Sequence, residues 1–293
     1  MDRNDIKEKS MKYLNLGCGD YFSTEKEWVN LDFASTHQGV IEYNLLKGIP
    51  FEDNTFDVVY HSHVLEHFSK EDGEALISEC FRVLKPNGIL RIAIPDLERI
   101  AKKYLLFLEQ GMSNPNDEMI RANYEWMKIE MYDQTVRNVS GGNMKKYIRQ
   151  DTIINEDFVF QRIGEEGRVM RNNFLKAKNG QTPTQPASKS VAPSIITRII
   201  NKIKKVTKDK VIKFLDINPE HIAIGAFRLG GEIHQWMYDR YSLTNLLTSK
   251  GGNEIKVRDA FSSYVSNWAD YNIDGKENVV RKPDSLFIEC LKK

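Results

Sequence analysis

Two glycines one residue apart, Gly17 and Gly19, interrupt a short apolar run, Tyr13-Leu14-Asn15-Leu16, and the carboxylate of Asp32 follows 13 residues after the second. Such glycines let backbone N–H groups approach a ligand closely. An acid closing the next apolar run, Trp28-Val29-Asn30-Leu31-Asp32, is the residue type that grips ribose hydroxyls. Together they form a nucleotide-cofactor pattern. A dinucleotide fingerprint has a third small residue three positions after the second glycine and its acid about 20 residues on. Here Phe22 takes that place and Asp32 comes early, which turns the reading from NAD toward S-adenosylmethionine (SAM).

Further on, His61, His63 and His67 fall within seven residues, with His63 and His67 four apart at the start of a helical stretch. That spacing suits two metal ligands. With no cysteine nearby and Glu66 expected on another helical face, no metal is expected. Asp96 follows the fifth apolar run and His234 opens the stretch Ile233-His234-Gln235-Trp236-Met237-Tyr238-Asp239. Either could take a proton from a hydroxyl, and imidazole is the commoner base near neutral pH. His234 is therefore the first candidate and Asp96 the second, with His67 a structural residue or, less often, a base. Trp236, Tyr238 and Asp239 offer aromatic faces and a carboxylate to a polyhydroxylated ring, though the aromatics would serve equally as packing anchors.

The elements that must position these residues alternate between strand and helix. Met11–Leu16, Trp28–Asp32, Val40–Asn44, Phe56–His61 and Ile89–Pro95 read as strands, with room for only an abbreviated first helix. Ser69 resembles a helix cap before Leu76, Cys80, Phe81 and Leu84 recur at helical spacing, and Lys85-Pro86-Asn87-Gly88 stops that helix. Tyr241–Lys250 reads as a late helix, and Glu254–Asp259 and Ser285–Cys290 as closing strands. The class is α/β, a doubly wound, mostly parallel, seven-stranded Rossmann-like sheet. Residues 11–96 and 232–293 form its discontinuous core, and 97–231 form a mainly helical insertion, a lid over the acceptor site at the carboxyl edge of the strands.

Composition sets the bounds. The 293 residues are 41% hydrophobic and 28% charged with a net charge of +1, enough for a sizeable core but without a field that would select nucleic acid. A charged start and the lack of any run of about 18 apolar residues make cytoplasmic residence the expectation. Cys18, Cys80 and Cys290 are too scattered for a disulfide framework.

The LNLGCG turn, the NLD acid, FEDNTFDVVYHSHVLEHF and FRVLKPNGILRIAIPDL resemble successive motifs of the class I SAM-dependent methyltransferases. GEIHQWMYDRYSLTNLL and RKPDSLFIEC are similar to a bacterial branch associated with surface-polysaccharide genes. The resemblance implies SAM as cofactor and S-adenosylhomocysteine as product. It implies Gly17, Cys18 and Gly19 under the methionine portion, Asp32 on the ribose, Asn44 and Leu45 by the adenine, and the loop His61-Ser62-His63 against the cofactor. Asn15 and Asn44 are amides where the family usually has acids, so each keeps an acceptor and loses a charge. The implied activity is O-methylation of a saccharide or a lipid-linked glycan precursor. Three alternatives stand beside it: an NAD-dependent sugar-modifying enzyme; a nucleic-acid methyltransferase, for which the Asn/Asp-Pro-Pro-aromatic motif is missing; and a non-catalytic SAM-binding partner.

Within the insertion, residues 178–193 are rich in turn formers and read as flexible. Residues 194–214 place Ile195, Ile199, Ile203 and Val206 on one helical face beside Arg198, Lys202, Lys204 and Lys205. This basic amphipathic helix either packs its isoleucine stripe on the lid or lies on an anionic membrane surface, which would make the protein peripheral there.

Overall fold

The computed structural model describes residues 11–34, 37–182 and 218–293. The basic stretch at 194–214 and residues 183–193 of the turn-rich segment lie outside them.

Short buried runs bounded by turn residues make the strands. In chain order the first five are β1 (Tyr13–Leu16), β2 (Trp28–Asp32), β3 (Val40–Glu42), β4 (Phe56–Ser62) and β5 (Leu84–Pro95). The others are β6 (Gly252–Arg258), the two-residue strands β7 (Gly275–Lys276) and β8 (Val279–Val280), and β9 (Ser285–Lys292). Seven of them form one sheet in the order β3-β2-β1-β4-β5-β9-β6, and β7 and β8 pair separately. The pairings from β3 through β5 are parallel, and β9 runs antiparallel to both of its neighbours, β5 and β6. The chain thus reverses direction outward from β1 on one side and β4 on the other, and a crevice opens at the carboxyl ends of these strands.

Helix α1 (Lys70–Val83) is capped by Ser69, whose Oγ accepts from the Asp72 N–H. Its residues Leu76, Ile77, Cys80 and Phe81 pack with Leu14, Leu16, Val59 and Leu90 of the sheet, joined by Leu243 and Leu247 of the late helix. The other face carries Tyr13, Trp28, Val58, Tyr60 and Ile89 and is covered by Val265, Trp268 and Ile273, from an irregular segment with one 3₁₀ turn at Trp268–Tyr271.

Under that cover lies a buried ionic network. Arg91 faces Glu289 across the β5–β9 ladder and donates to its Oε1 at 2.8 Å and to Asp274 Oδ2 at 2.9 Å. It also donates to the carbonyls of Ser262 and Asp259. Tyr60 and Trp268 donate to Asp274, and the Tyr264 N–H donates to Glu289. Arg91 and Glu289 are inaccessible to solvent.

Three expectations change. Residues 17–27 form turns with no helix between β1 and β2. β3 ends at Glu42, because Asn44 turns away to cap a 3₁₀ turn at Leu45–Lys47. Lys85–Gly88, expected as a helix stop, bulges within β5, since Phe56 pairs with Leu84 and Val58 with Ile89.

After β5 come α2 (Leu97–Ser113), α3 (Glu118–Val136), α4 (Gly142–Ile148), α5 (Glu156–Lys178) and α6 (Pro219–Arg228). The late helix is α7 (Arg240–Ser249). Ile100, Trp126, Met127, Ile148, Val159 and Phe160 give the inserted helices a cluster of their own. Inside it Arg162 donates to both Glu130 oxygens, at 2.5 and 3.1 Å. α5 kinks at Gly164, whose φ of +65° suits glycine. A Cβ there would lie 2.4 Å from the Arg281 carbonyl oxygen, so glycine lets the helix rest on the loop before β9.

Candidate active site

The glycine turn leaves β1 at the carboxyl edge of the sheet and lines a cavity of about 470 Å³. Gly17 and Gly19 both have positive φ. A Cβ at Gly17 would sit 2.4 Å from Val64 Cγ2, whereas a Cβ at Gly19 would meet nothing within 4 Å. Packing therefore demands the first glycine, and the second keeps a backbone face open. Asn15, Cys18, Ser62 and His63, all expected at the cofactor, line the same cavity together with Tyr21, Tyr60, Glu165, Glu166, Arg281 and Lys282. Asn15 is itself occupied, donating to the Tyr21 carbonyl at 3.1 Å and bridging to Asn30. Arg281 stacks over the Tyr21 ring and donates to Ser62 Oγ at 3.0 Å.

Four expected cofactor residues do not line this cavity. Asp32 lies beside the turn, with Oδ2 accepting from the Gly19 N–H at 2.8 Å and Oδ1 from the Ala34 N–H at 3.0 Å. It thus ties β2 to the turn. Asn44 Oδ1 caps the Leu46 N–H at 3.0 Å, and Leu45 packs against the main core. His61 shares the helix-covered face with Val59, by the two-residue alternation of β4. It is fully buried with neither nitrogen partnered among the described residues, and burial lowers its pKa to about 4.

A second cavity, of about 520 Å³, lies between the sheet edge and α3–α5. Its lining is mixed: Gln134, Arg137, Ser140, Lys145, Glu232 and Asp284 join His63, Glu66, His67 and His234, and Met144, Ile148, Ile163 and Met170 supply an apolar wall. His63, Glu166 and Lys282 line both cavities. Lys282 Nζ pairs with Glu166 at 3.2 Å and holds its carboxyl below the usual range. His63 adopts a left-handed backbone, with φ +55°, at the end of β4. Its Nε2 lies 2.7 Å from Ser285 Oγ and its Nδ1 3.1 Å from Glu66 Oε1.

His67 and His234 come together here, with rings 4.9 Å apart and nearly perpendicular. Glu66 joins them, contrary to the expectation that it would face elsewhere. Leu65–His67 is a three-residue 3₁₀ turn, too short for α-helical face arithmetic, and Glu66 is buried within it. Burial lifts the Glu66 carboxyl to about 8 and pushes both imidazoles below their ordinary value, His234 furthest. Asp284, also buried, is raised to about 6 by burial and by the charge of Glu130.

The remaining candidates are structural. Asp96 Oδ1 caps α2 by accepting from the Arg99 N–H at 3.1 Å, and Asp239 caps α7 in a reciprocal box with Ser242. Tyr238 is buried against Gly73, and Trp236 is half exposed beneath the Lys70 ammonium. None of the four lines either cavity. Sequence reasoning missed Glu165, Glu166, Arg281 and Lys282 as site residues. Their one local cue is Gly164 inside an otherwise helical stretch, which marks a kink or a close approach.

Residues 14–92 match the family model described as "Methyltransferase domain". A probable SAM-dependent methyltransferase of Mycolicibacterium smegmatis is 29% identical over 98 residues, covering 28% of this chain and 37% of that one. An uncharacterised protein of Haemophilus influenzae is 35% identical over 88 residues, covering 26% and 35%. The chain thus spans about a third of the length of these relatives. Among solved structures, a SAM-dependent methyltransferase of Thermotoga maritima, described as a possible histamine N-methyltransferase, aligns over 97% of this chain and 83% of that one. Its identity is 13% and its TM-score 0.37. The family match spans β1–β4, α1 and most of β5, the stretch that carries the glycine turn.

Proposed function

We propose that this protein is a SAM-dependent methyltransferase that methylates an oxygen of a saccharide or glycan precursor. The observation that carries the reading is the pair of cavities meeting at His63, Glu166 and Lys282. One opens on the glycine turn of the methyltransferase domain, and the other is lined by hydrogen-bonding groups. When bound, SAM supplies an electrophilic methyl on a sulfonium. The residues of the groove suit its other groups: Arg281 and Lys282 a carboxylate, Glu165 and Glu166 an ammonium, and the open face at Gly19 a close backbone contact. Asp32, fixed beside the turn by two N–H groups, is the carboxylate this reading assigns to the ribose hydroxyls.

The protein's remaining task is to orient the acceptor and handle its proton. Gln134, Ser140, Lys145 and Glu232 give a polyhydroxylated ring several partners, with His67, His234 and Glu66 grouped against its hydroxyls. Asp96 drops out as a base because its carboxylate caps α2 away from the cavity.

Incubation with methyl-labelled SAM, followed by separation of polymeric glycan, lipid-linked glycan, soluble metabolite, protein and nucleic-acid fractions, tests the reading. Label in a glycan fraction is expected, and label in the lipid-linked one would add support to a membrane role for residues 194–214. Label confined to protein or nucleic acid overturns the acceptor class. SAM binding with no labelled acceptor favours a non-catalytic SAM-binding partner.

A further inference from the structure

We propose that Glu66, His67 and His234 form a binding site for one divalent first-row transition-metal ion at the inner wall of the larger cavity. Each offers one ligand atom, and these atoms all lie within 4.8 Å of one another. Two imidazoles and one carboxylate are a donor set for zinc, iron(II), manganese or cobalt(II), and the set leaves further coordination positions open.

The surroundings support more than proximity. Glu66 is 1% exposed and His234 5%, yet neither Glu66 oxygen, nor His234 Nδ1, has a hydrogen-bond partner among the described residues. The approach of His63 Nδ1 to Glu66 Oε1, at 3.1 Å, is close but not aligned as a hydrogen bond. Buried polar atoms are seldom left this way, because each loses its water without compensation. A cation would satisfy them together.

The ligands are also held in place. The N–H groups of Gln235 and Trp236 donate to the Glu66 carbonyl at 2.7 and 3.3 Å, and Gln235 Nε2 donates to the His67 carbonyl at 2.7 Å. The His234 N–H donates to the Gln134 carbonyl at 3.0 Å. These bonds lace the turn after β4 to a segment far along the chain. His67 Nδ1 lies 3.2 Å from the Ile233 carbonyl oxygen. Donation there leaves Nε2 with its lone pair, the tautomer arrangement usual for a metal-bound histidine.

His67, His234 and Glu66 all line the cavity, so the open positions face it. On the methyl-transfer reading, on which this role alone rests, those positions take an acceptor hydroxyl. Coordination would make loss of its proton to solvent easier, and the C–O bond would then form as the methyl–sulfur bond breaks and S-adenosylhomocysteine leaves with the electron pair.

The test uses the full chain, stripped with a chelator, desalted and titrated with Co²⁺ while the visible d–d absorption is followed. One equivalent is expected to bind, with affinity at least ~10-fold weaker in Glu66→Gln, His67→Ala and His234→Ala. These variants should keep the wild-type circular dichroism and SAM affinity. No binding by the stripped wild type, or folded variants that bind like it, overturns the site. If a variant fails to fold, proton NMR of the wild-type Co²⁺ form decides: imidazole N–H signals shifted by the ion, including that of His67 Nδ1–H, support the site, and their absence overturns it. Calorimetric SAM titration is independent. Metal binding without SAM binding would keep the site and sink the methyl-transfer reading, and the reverse result would do the opposite.

Discussion

Two buried polar clusters, one on a face of β4 and β5 and one in the turn that follows β4, solve the same problem differently. Around Arg91, every charge is answered: Asp274 and Glu289 take its guanidinium, and Tyr60, Trp268 and Tyr264 fill their remaining acceptor positions. Around Glu66, the carboxylate and the His234 Nδ1 lack hydrogen-bond partners among the described residues, although they are as deeply buried. A satisfied network ties the sheet to its cover. An unsatisfied one at a cavity wall gives up stability for a ligand.

That contrast is broken most sharply at its strong end. Arg91→Met leaves buried Asp274 without a cationic partner and Glu289 with Arg258 alone, and urea denaturation should show a loss of about 3–5 kcal/mol. Glu66→Gln, which removes no hydrogen bond, should stay within about 1 kcal/mol of wild type in the same measurement. Comparable losses from the two substitutions would erase the distinction.

The glycine turn offers a second, smaller contrast. Gly17→Ala combines a positive φ with a contact on Val64 and should cost about 1–3 kcal/mol by thermal unfolding. Gly19→Ala meets open space, so the backbone cost of about 1–2 kcal/mol is all that stability should show. Calorimetry should nevertheless find its SAM affinity reduced at least ~10-fold, if the open face is where the cofactor rests.

Asp284 sharpens the comparison through pH. Its folded pKa, about 6, is raised above the unfolded value of about 4, so the folded state binds the extra proton between them. Wild-type stability therefore falls as pH rises from about 4 through 6, and the penalty persists above. Asp284→Asn should raise Tm by a few degrees at pH 8, with the gain vanishing near pH 4. The smallest effect belongs to Tyr238→Phe. The hydroxyl is buried without a hydrogen-bond partner among the described residues, so its loss should change stability by no more than about 0.5 kcal/mol and leave acceptor KM unchanged.

How far the sequence could be read follows from where each signal is local. β1, β2, β4 and α1 are apolar runs ended by their own turn or cap residues, so their places and the glycine turn were legible. Asp96 and Asp239 stand directly before helices, and that position already favours a cap over a base. His61 could not be placed, because β4 is buried on both faces and its apolar run shows no alternation. The joining of Glu66 with His234 depends on a long-range crossing, laced by backbone bonds that no sequence spacing reports. The same holds for the resting of α5 on the loop before β9.

The Lys282–Glu166 pair stands in the wall common to both cavities. An occupant of either side that recruits one of these charges releases the other toward its neighbour. Linkage then requires the two ligands to alter each other's affinity by the same factor, in the same direction. How strongly occupants of the two cavities favour or oppose each other thus becomes a property of one lysine–glutamate contact rather than of either pocket alone.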